Sequence, residues 1–164
     1  MTSDPQIRRR DYFVLAALIV VLDQASKAII AAKVPLHTTV TVVPRFFSLS
    51  HVLNRGAAFS LFSNLPAEYT RPALISFSAI VLVAVVWTLA RISPLRRLLA
   101  TSLALILGGA AGNLIDRLRL GSVVDFLAFD LGSYHWPDFN LADSAIVIGA
   151  FLLIVDSLRP VQKN

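Results

Sequence analysis

Four aspartates, Asp23, Asp116, Asp125 and Asp143, sit where acids are out of place, and spacing alone does not say which of them pair. Asp125 lies in Val123-Val124-Asp125-Phe126-Leu127, and Asp143 closes the run Phe139-Asn140-Leu141-Ala142-Asp143. Carboxylates held close together can share one proton, so that the ionised acid activates water while the protonated one polarises a carbonyl. Other routes to hydrolysis are poorly served. The chain contains no cysteine, which removes thiolate catalysis, disulfides and Cys-ligated metal together. His37, His51 and His135 form no H-E-x-x-H arrangement. Ser60 has no histidine or lysine placed by the sequence as an obvious base, and no G-x-S-x-G surrounds it. Paired carboxylates remain.

More polar residues interrupt apolar stretches, and each has a structural alternative. Asp23 and Lys27 are four apart on one helical face, where they can pair; that pair can equally lock helix packing. Asn113 and Asp116 share a face at i, i+3, and Arg117 offers a forked donor to a carbonyl or carboxylate. Gly108-x-x-x-Gly112 permits close helix approach and needs no further role. Asn140 and Asp143 stand at the N-cap and N3 positions of a helix, which is sufficient reason for both. A lone acid such as Asp125 is usually solvated in a loop, yet its Val-Val and Phe-Leu flanks argue for a pocket. Asparagine and arginine side chains could hold a peptide backbone or a developing oxyanion.

The elements that must position these groups are apolar. Of 164 residues, 56% are hydrophobic and only 15% charged, with a mean hydropathy of +0.71. Ordinary soluble domains carry roughly 25% charged residues, so lipid must be the solvent for much of this surface. Four runs of about 18–21 residues, 12–32, 72–90, 98–115 and 141–158, are each long enough to cross a hydrocarbon core of roughly 30 Å. The expected architecture is an α-helical polytopic membrane protein with four transmembrane helices, forming one domain over 1–164. Arg8–Arg10 ahead of the first run resemble the start of a cleaved signal. Asp23, Gln24 and Lys27 interrupt that run, however, and no A-x-A-like site follows.

Basic residues at 8–10, at 91, 96 and 97, and at 159 and 163 mark the cytoplasmic side. Segments 33–71 and 116–140 then lie outside, although Arg55 and Arg117 fall there too, where function could retain them. Thr38-Thr39-Val40-Thr41-Val42-Val43 and Phe46-Phe47-Ser48-Leu49 suggest short strands at the outer interface. Residues 38–49 and 54–60 are expected to form a mobile cover there. Tyr134 and Trp136 fit an interfacial aromatic belt. Asp23, Asp116, Asp125 and Asp143 converge on one depth, which points to a site. The net charge of +5 does not indicate nucleic acid, because the basic residues flank apolar runs. Intramembrane acids also serve proton-coupled transporters, which usually show repeat symmetry; none is evident. A non-catalytic scaffold would tolerate loss of the acids.

Five blocks, Asp23-Gln24-x-Ser26-Lys27, Asn54-Arg55-Gly56-Ala57-Ala58-Phe59-Ser60, Gly108-Gly109-Ala110-x-Gly112-Asn113-Leu114-Ile115-Asp116-Arg117, Val123-Val124-Asp125-Phe126 and Phe139-Asn140-x-Ala142-Asp143-Ser144, run in order over almost the whole chain. Together they resemble the bacterial lipoprotein signal peptidase (signal peptidase II) family. The resemblance implies four membrane helices, a small extracytoplasmic β-cradle and both termini in the cytoplasm of a bacterial inner-membrane protein. It implies an aspartic endopeptidase that cuts prolipoproteins just before the diacylglyceryl-modified cysteine, without metal or cofactor, and is blocked by globomycin-type inhibitors; a monomer is expected. The family's catalytic aspartates match Asp125 and Asp143, and its supporting residues match Asp23, Asn54, Asn113, Asp116, Arg117 and Asn140.

Overall fold

The computed structural model describes residues 8–56, 67–93 and 95–159. Among them the chain runs α1 (Arg9–Lys33), β1 (Thr39–Val43), β2 (Phe47–Asn54), α2 (Ala67–Arg91), α3 (Arg97–Leu120), β3 (Val123–Leu131), β4 (Tyr134–Phe139) and α4 (Leu141–Ser157). Residues 57–60, the later part of the expected cover, lie outside the described residues, as does Ser60.

Long apolar stretches without strand punctuation make the helices, and α1, α2 and α3 are each long and apolar enough to cross a membrane. α4 is shorter, with 17 residues. Their outward faces are bare: Leu18 and Val21 on α1, Phe77, Ile80 and Val83 on α2, and Val147 and Phe151 on α4 are all more than half exposed. In α2 only 6% of the apolar window is buried within the protein, so its solvent is lipid. The chain is a polytopic membrane protein.

α3 is the central helix and packs against α1, α2 and α4. Its small residues explain how. A Cβ on Gly108 would meet the Ala16 carbonyl of α1 at 2.7 Å, and one on Gly109 would strike the Ala142 carbonyl of α4. The glycine stripe therefore admits two helices on different faces. At the arginine-rich end Tyr12, Ala16, Leu89, Ala100, Leu103, Ala104 and Leu107 close a core of α1, α2 and α3. α3 stops at Gly121, which takes φ 73° and donates its N–H to the Arg117 carbonyl.

At the opposite end stands a four-stranded antiparallel sheet in the order β1-β2-β3-β4. The first two strands fall where β-branched and aromatic residues place them. The other two depart from the sequence reading, in which 116–140 is a connection. Ile30 and Val34 at the end of α1 pack on Phe126 of β3, and so anchor the sheet to the bundle. β1 is an edge strand with all five residues exposed.

Candidate active site

β3 fixes Asp125. It pairs with β2 so that Val52 faces Asp125 and Asn54 faces Val123. Residues two apart share a sheet face, which makes Asn54 the diagonal neighbour of Asp125. Asn54 Nδ2 donates to Asp125 Oδ2 at 3.0 Å. The amide cannot be the other way round, because Asn54 Oδ1 already accepts the Gly56 N–H at 2.9 Å.

The α4 N-terminus fixes Asp143. Asn140 is the N-cap and accepts the Asp143 N–H on Oδ1 at 2.9 Å; the Asp143 carboxylate returns the contact to the Asn140 N–H at 3.3 Å. This capping box is the structural role expected for both residues. It does not exhaust Asn140, whose Nδ2 donates to Asp125 Oδ1 at 2.7 Å. One residue thus orients both acids.

Behind them lies a buried web. Lys27 Nζ contacts Asp23 Oδ2 and Asp116 Oδ2, each at 2.8 Å, and donates to Asn113 Oδ1 at 3.1 Å. Three acceptors match the three protons of an ammonium. Because Lys27 can only donate, the Asn113 oxygen must face it, which turns Asn113 Nδ2 onto Asp143 Oδ1 at 2.8 Å. Asp23 Oδ1 accepts the Ala142 N–H at 3.0 Å, and Asp116 Oδ2 accepts the Val124 N–H at 3.2 Å, so the web holds α4 and β3 in place. Gln24 Nε2 joins Asp116 Oδ1, Asp23 Oδ2 and the Gly112 carbonyl at 3.0–3.2 Å. Gly112 is tight, since a Cβ there would sit 2.6 Å from Asp23 Oδ2.

In front of the acids is a cavity of about 440 Å³. Asn54, Asn113, Arg117, Asp125 and Asp143 form its polar side, with Trp136, Pro137 and Phe139 of β4 and Ile146, Val147 and Ile148 of α4 as apolar walls. Val147 and Ile148 are also 64% and 52% exposed, so the cavity opens sideways along α4. Burial and then the nearby Asp143 charge push Asp125 up to about 7, against the hydrogen bonds from Asn54 and Asn140 and the charge of Lys27. An acid half-protonated near neutrality, beside a second carboxylate, can take or give a proton.

All eight residues singled out from the sequence come together. Asp125, Asp143, Asn54, Asn113 and Arg117 line the cavity, while Asp23, Asp116 and Asn140 stand behind it. Arg117 donates from Nη2 to the Gly56 carbonyl at 3.3 Å, whereas Arg55 is exposed. Sequence reasoning gave Gln24 no role and did not join Lys27 to Asp116; their signal was polarity inside an apolar run. Trp136 belongs to the cavity wall, and Asp138, which also lines it, was missed.

Residues 15–159 match a family model described as signal peptidase (SPase) II. The chain is 44% identical over 140 residues to a lipoprotein signal peptidase of Desulforapulum autotrophicum, covering 85% of this chain and 86% of that one. It is 43% identical over 160 residues to a lipoprotein signal peptidase of Geobacter sulfurreducens, covering 98% of each. Two solved structures, each described as a bacterial membrane enzyme determined by the in meso method, superpose closely. One, at 2.3 Å resolution, has a TM-score of 0.81 at 29% identity over 94% of this chain and 93% of that one. The other, at 1.9 Å, scores 0.80 at 30% identity over 92% and 94%.

Proposed function

The chain belongs to the signal peptidase II family, and from that premise we propose that it removes signal peptides from diacylglyceryl-modified prolipoproteins by aspartic catalysis at Asp125 and Asp143. The observation that carries this reading is the pairing of the two acids at one cavity through Asn140. One ionised carboxylate takes a proton from water as it attacks the scissile carbonyl, while the protonated one donates to the carbonyl oxygen. Asn54, Asn113 and Asn140 hold the acids at fixed angles. Arg117, already engaged with the Gly56 carbonyl, is suited to the substrate backbone, and Asp23 and Asp116 support the site through Lys27. The proton-coupled transporter finds no support among the relatives.

All four helices cross the bilayer as one peptidase domain, with the sheet outside and both termini in the cytoplasm of a bacterial inner membrane. Supporting this, Arg9, Arg91, Arg96 and Arg159 all stand at the helix ends away from the sheet. α4 spans roughly 25 Å at 1.5 Å per residue, so its membrane region is thin or its end is at the interface. A lipid-anchored cysteine keeps its acyl chains in the membrane, and the sideways opening along α4 admits it without passage through water. Every residue assigned to the site comes from one chain, in keeping with a monomer, and the same cavity is the place where a globomycin-type cyclic peptide would act.

Cleavage by the purified protein in liposomes tests the reading. A prolipoprotein carrying the diacylglyceryl group should be cut just before its cysteine and the unlipidated precursor left intact. Equal cleavage of both, or cleavage persisting in Asp125→Asn and Asp143→Asn, overturns it. Because the chain has no cysteine, single introduced cysteines report topology directly: position 37 should label from outside and position 93 only from the cytoplasm.

A further inference from the structure

The β3–β4 hairpin carries a charged cluster that the two acids do not use. His135 Nδ1 lies 2.8 Å from Asp130 Oδ1, its cross-strand partner, and His135 Nε2 lies 3.1 Å from Asp138 Oδ1. The second contact is irregular. Residues i and i+3 of an ordinary strand point to opposite faces and stand roughly 10 Å apart along it. Here β4 is bulged: Trp136 pairs with Phe129 and Phe139 with Leu127, so three steps of β4 oppose two of β3. The extra residue brings Asp138 round to His135.

That bulge is the cavity wall. Trp136, Pro137, Asp138 and Phe139 all line the cavity, and Pro137 can donate no ladder hydrogen bond to hold the segment. Side chains add to the strand pairs that flank it. Asp138 Oδ2 accepts the Ser50 hydroxyl of β2 at 2.8 Å, while its other oxygen faces the imidazole.

We propose that His135 is a positioning residue for the cavity: its ring staples the bulge of β4 and sets where Trp136 and Asp138 stand in the wall. The proposal rests on the reading that this cavity takes the lipidated substrate. A neutral imidazole has one N–H and can donate to one carboxylate, whereas an imidazolium donates to both. The staple is therefore complete only when His135 is charged. The charged groups facing the ring are Asp130 from β3 and Asp138 from β4; their hydrogen bonds, that to Asp130 foremost, raise its pKa above the ordinary value of 6.5. The sign follows: the staple is fully closed below that ordinary value and opens as pH rises through the raised one.

Two measurements test this, one of them independent of activity. Trp87 and Trp136 are the only tryptophans, so a Trp87→Phe protein reports Trp136 emission alone. Its emission should change with a single midpoint above 6.5, lose that transition in His135→Gln, and show a lower midpoint in Asp130→Asn. In cleavage of a lipidated peptide, wild-type KM should rise several-fold as pH passes the same midpoint. His135→Gln should start from the raised KM, with kcat kept. A transition that survives His135→Gln, or a KM in that variant equal to wild type at every pH, overturns the proposal. If emission follows His135 but no lipidated substrate is cut by the wild type, the staple stands and the functional reading falls.

Discussion

Asn140 and Asp143 cap one helix from both directions, each side chain accepting the other's backbone N–H, at 2.9 and 3.3 Å. A helix N-terminus favours a carboxylate through its free N–H groups and dipole, so the position that suits a cap also suits an ionised catalytic acid. The cap and the site are alternatives in the sequence and one object in the structure.

That coincidence can be taken apart. Asn140→Ser keeps an N-cap oxygen but loses the donor that reaches Asp125 Oδ1 at 2.7 Å. Its thermal stability in detergent should stay close to wild type, while kcat falls steeply. Asn140→Ala should lose the same activity and also about 1 kcal/mol of stability with the cap. Equal activity in the serine variant and the wild type would show that the amide does not orient Asp125.

How much of the site is legible in the sequence depends on the residue. Asp23, Asn113 and Asp143 are legible because ionisable or amide groups inside lipid-length runs carry a cost that demands a partner, and Asp116 because it directly ends such a run. Which partner is not legible. Lys27 is four residues from Asp23 on one helix, but its second carboxylate, Asp116, comes from α3 and is met only after the helices pack. β3 and β4 read as a connection for a different reason. Asp125 and Asp130 break the apolar pattern of one, and Pro137 argues against the other, although an edge strand such as β4 tolerates proline. The contact between His135 and Asp138 depends on a bulge, which no side-chain period announces.

The Lys27 web predicts a large and partly reversible effect. Lys27→Met leaves Asp23 and Asp116 buried without their cation, a change that costs roughly 3–5 kcal/mol when one member of a buried pair is removed. Yield and melting temperature should both drop. Combining it with Asp23→Asn removes one of the stranded charges and should recover part of the loss. Melting temperatures of the two variants in the same detergent decide the point; additive losses would mean that the two residues do not act on each other.

Asp125 gives a stability prediction with an unusual sign. Folded carboxylates are often stabilised when ionised, but burial and the Asp143 charge raise this one to about 7 from 3.8. Between those values the unfolded chain releases the proton and the folded chain keeps it, so ionisation opposes folding as pH rises. A tenfold change in proton affinity corresponds to about 1.4 kcal/mol, which places the penalty above neutral pH at a few kcal/mol. Asp125→Asn should therefore be more stable than wild type under mildly alkaline conditions and lose most of that advantage near the ordinary carboxylate value of 3.8. Unfolding curves under the two conditions provide the measurement, and an advantage independent of pH would contradict the raised value.

The sharpest expectation concerns the two acids as one unit. Asn140 ties Asp125 and Asp143 together, and two carboxylates facing one partly dry cavity cannot both ionise cheaply. Their protons then belong to the pair, and kcat/KM should follow a bell: activity is lost at low pH when both are protonated and at high pH when neither is. The value of about 7 at Asp125 places the alkaline limb near neutrality. Asp125→Asn and Asp143→Asn keep size and remove ionisation, and each should nearly abolish cleavage in a protein that still inserts and still binds a globomycin-type peptide. The double variant should be hardly worse than either single one, because neither acid works without the other. Losses that multiply in the double variant would show two separate contributions. Near-normal turnover in Asp125→Asn would instead remove it from the dyad and leave Asp116, already held by Lys27 and the Val124 N–H, as the next partner to test for Asp143.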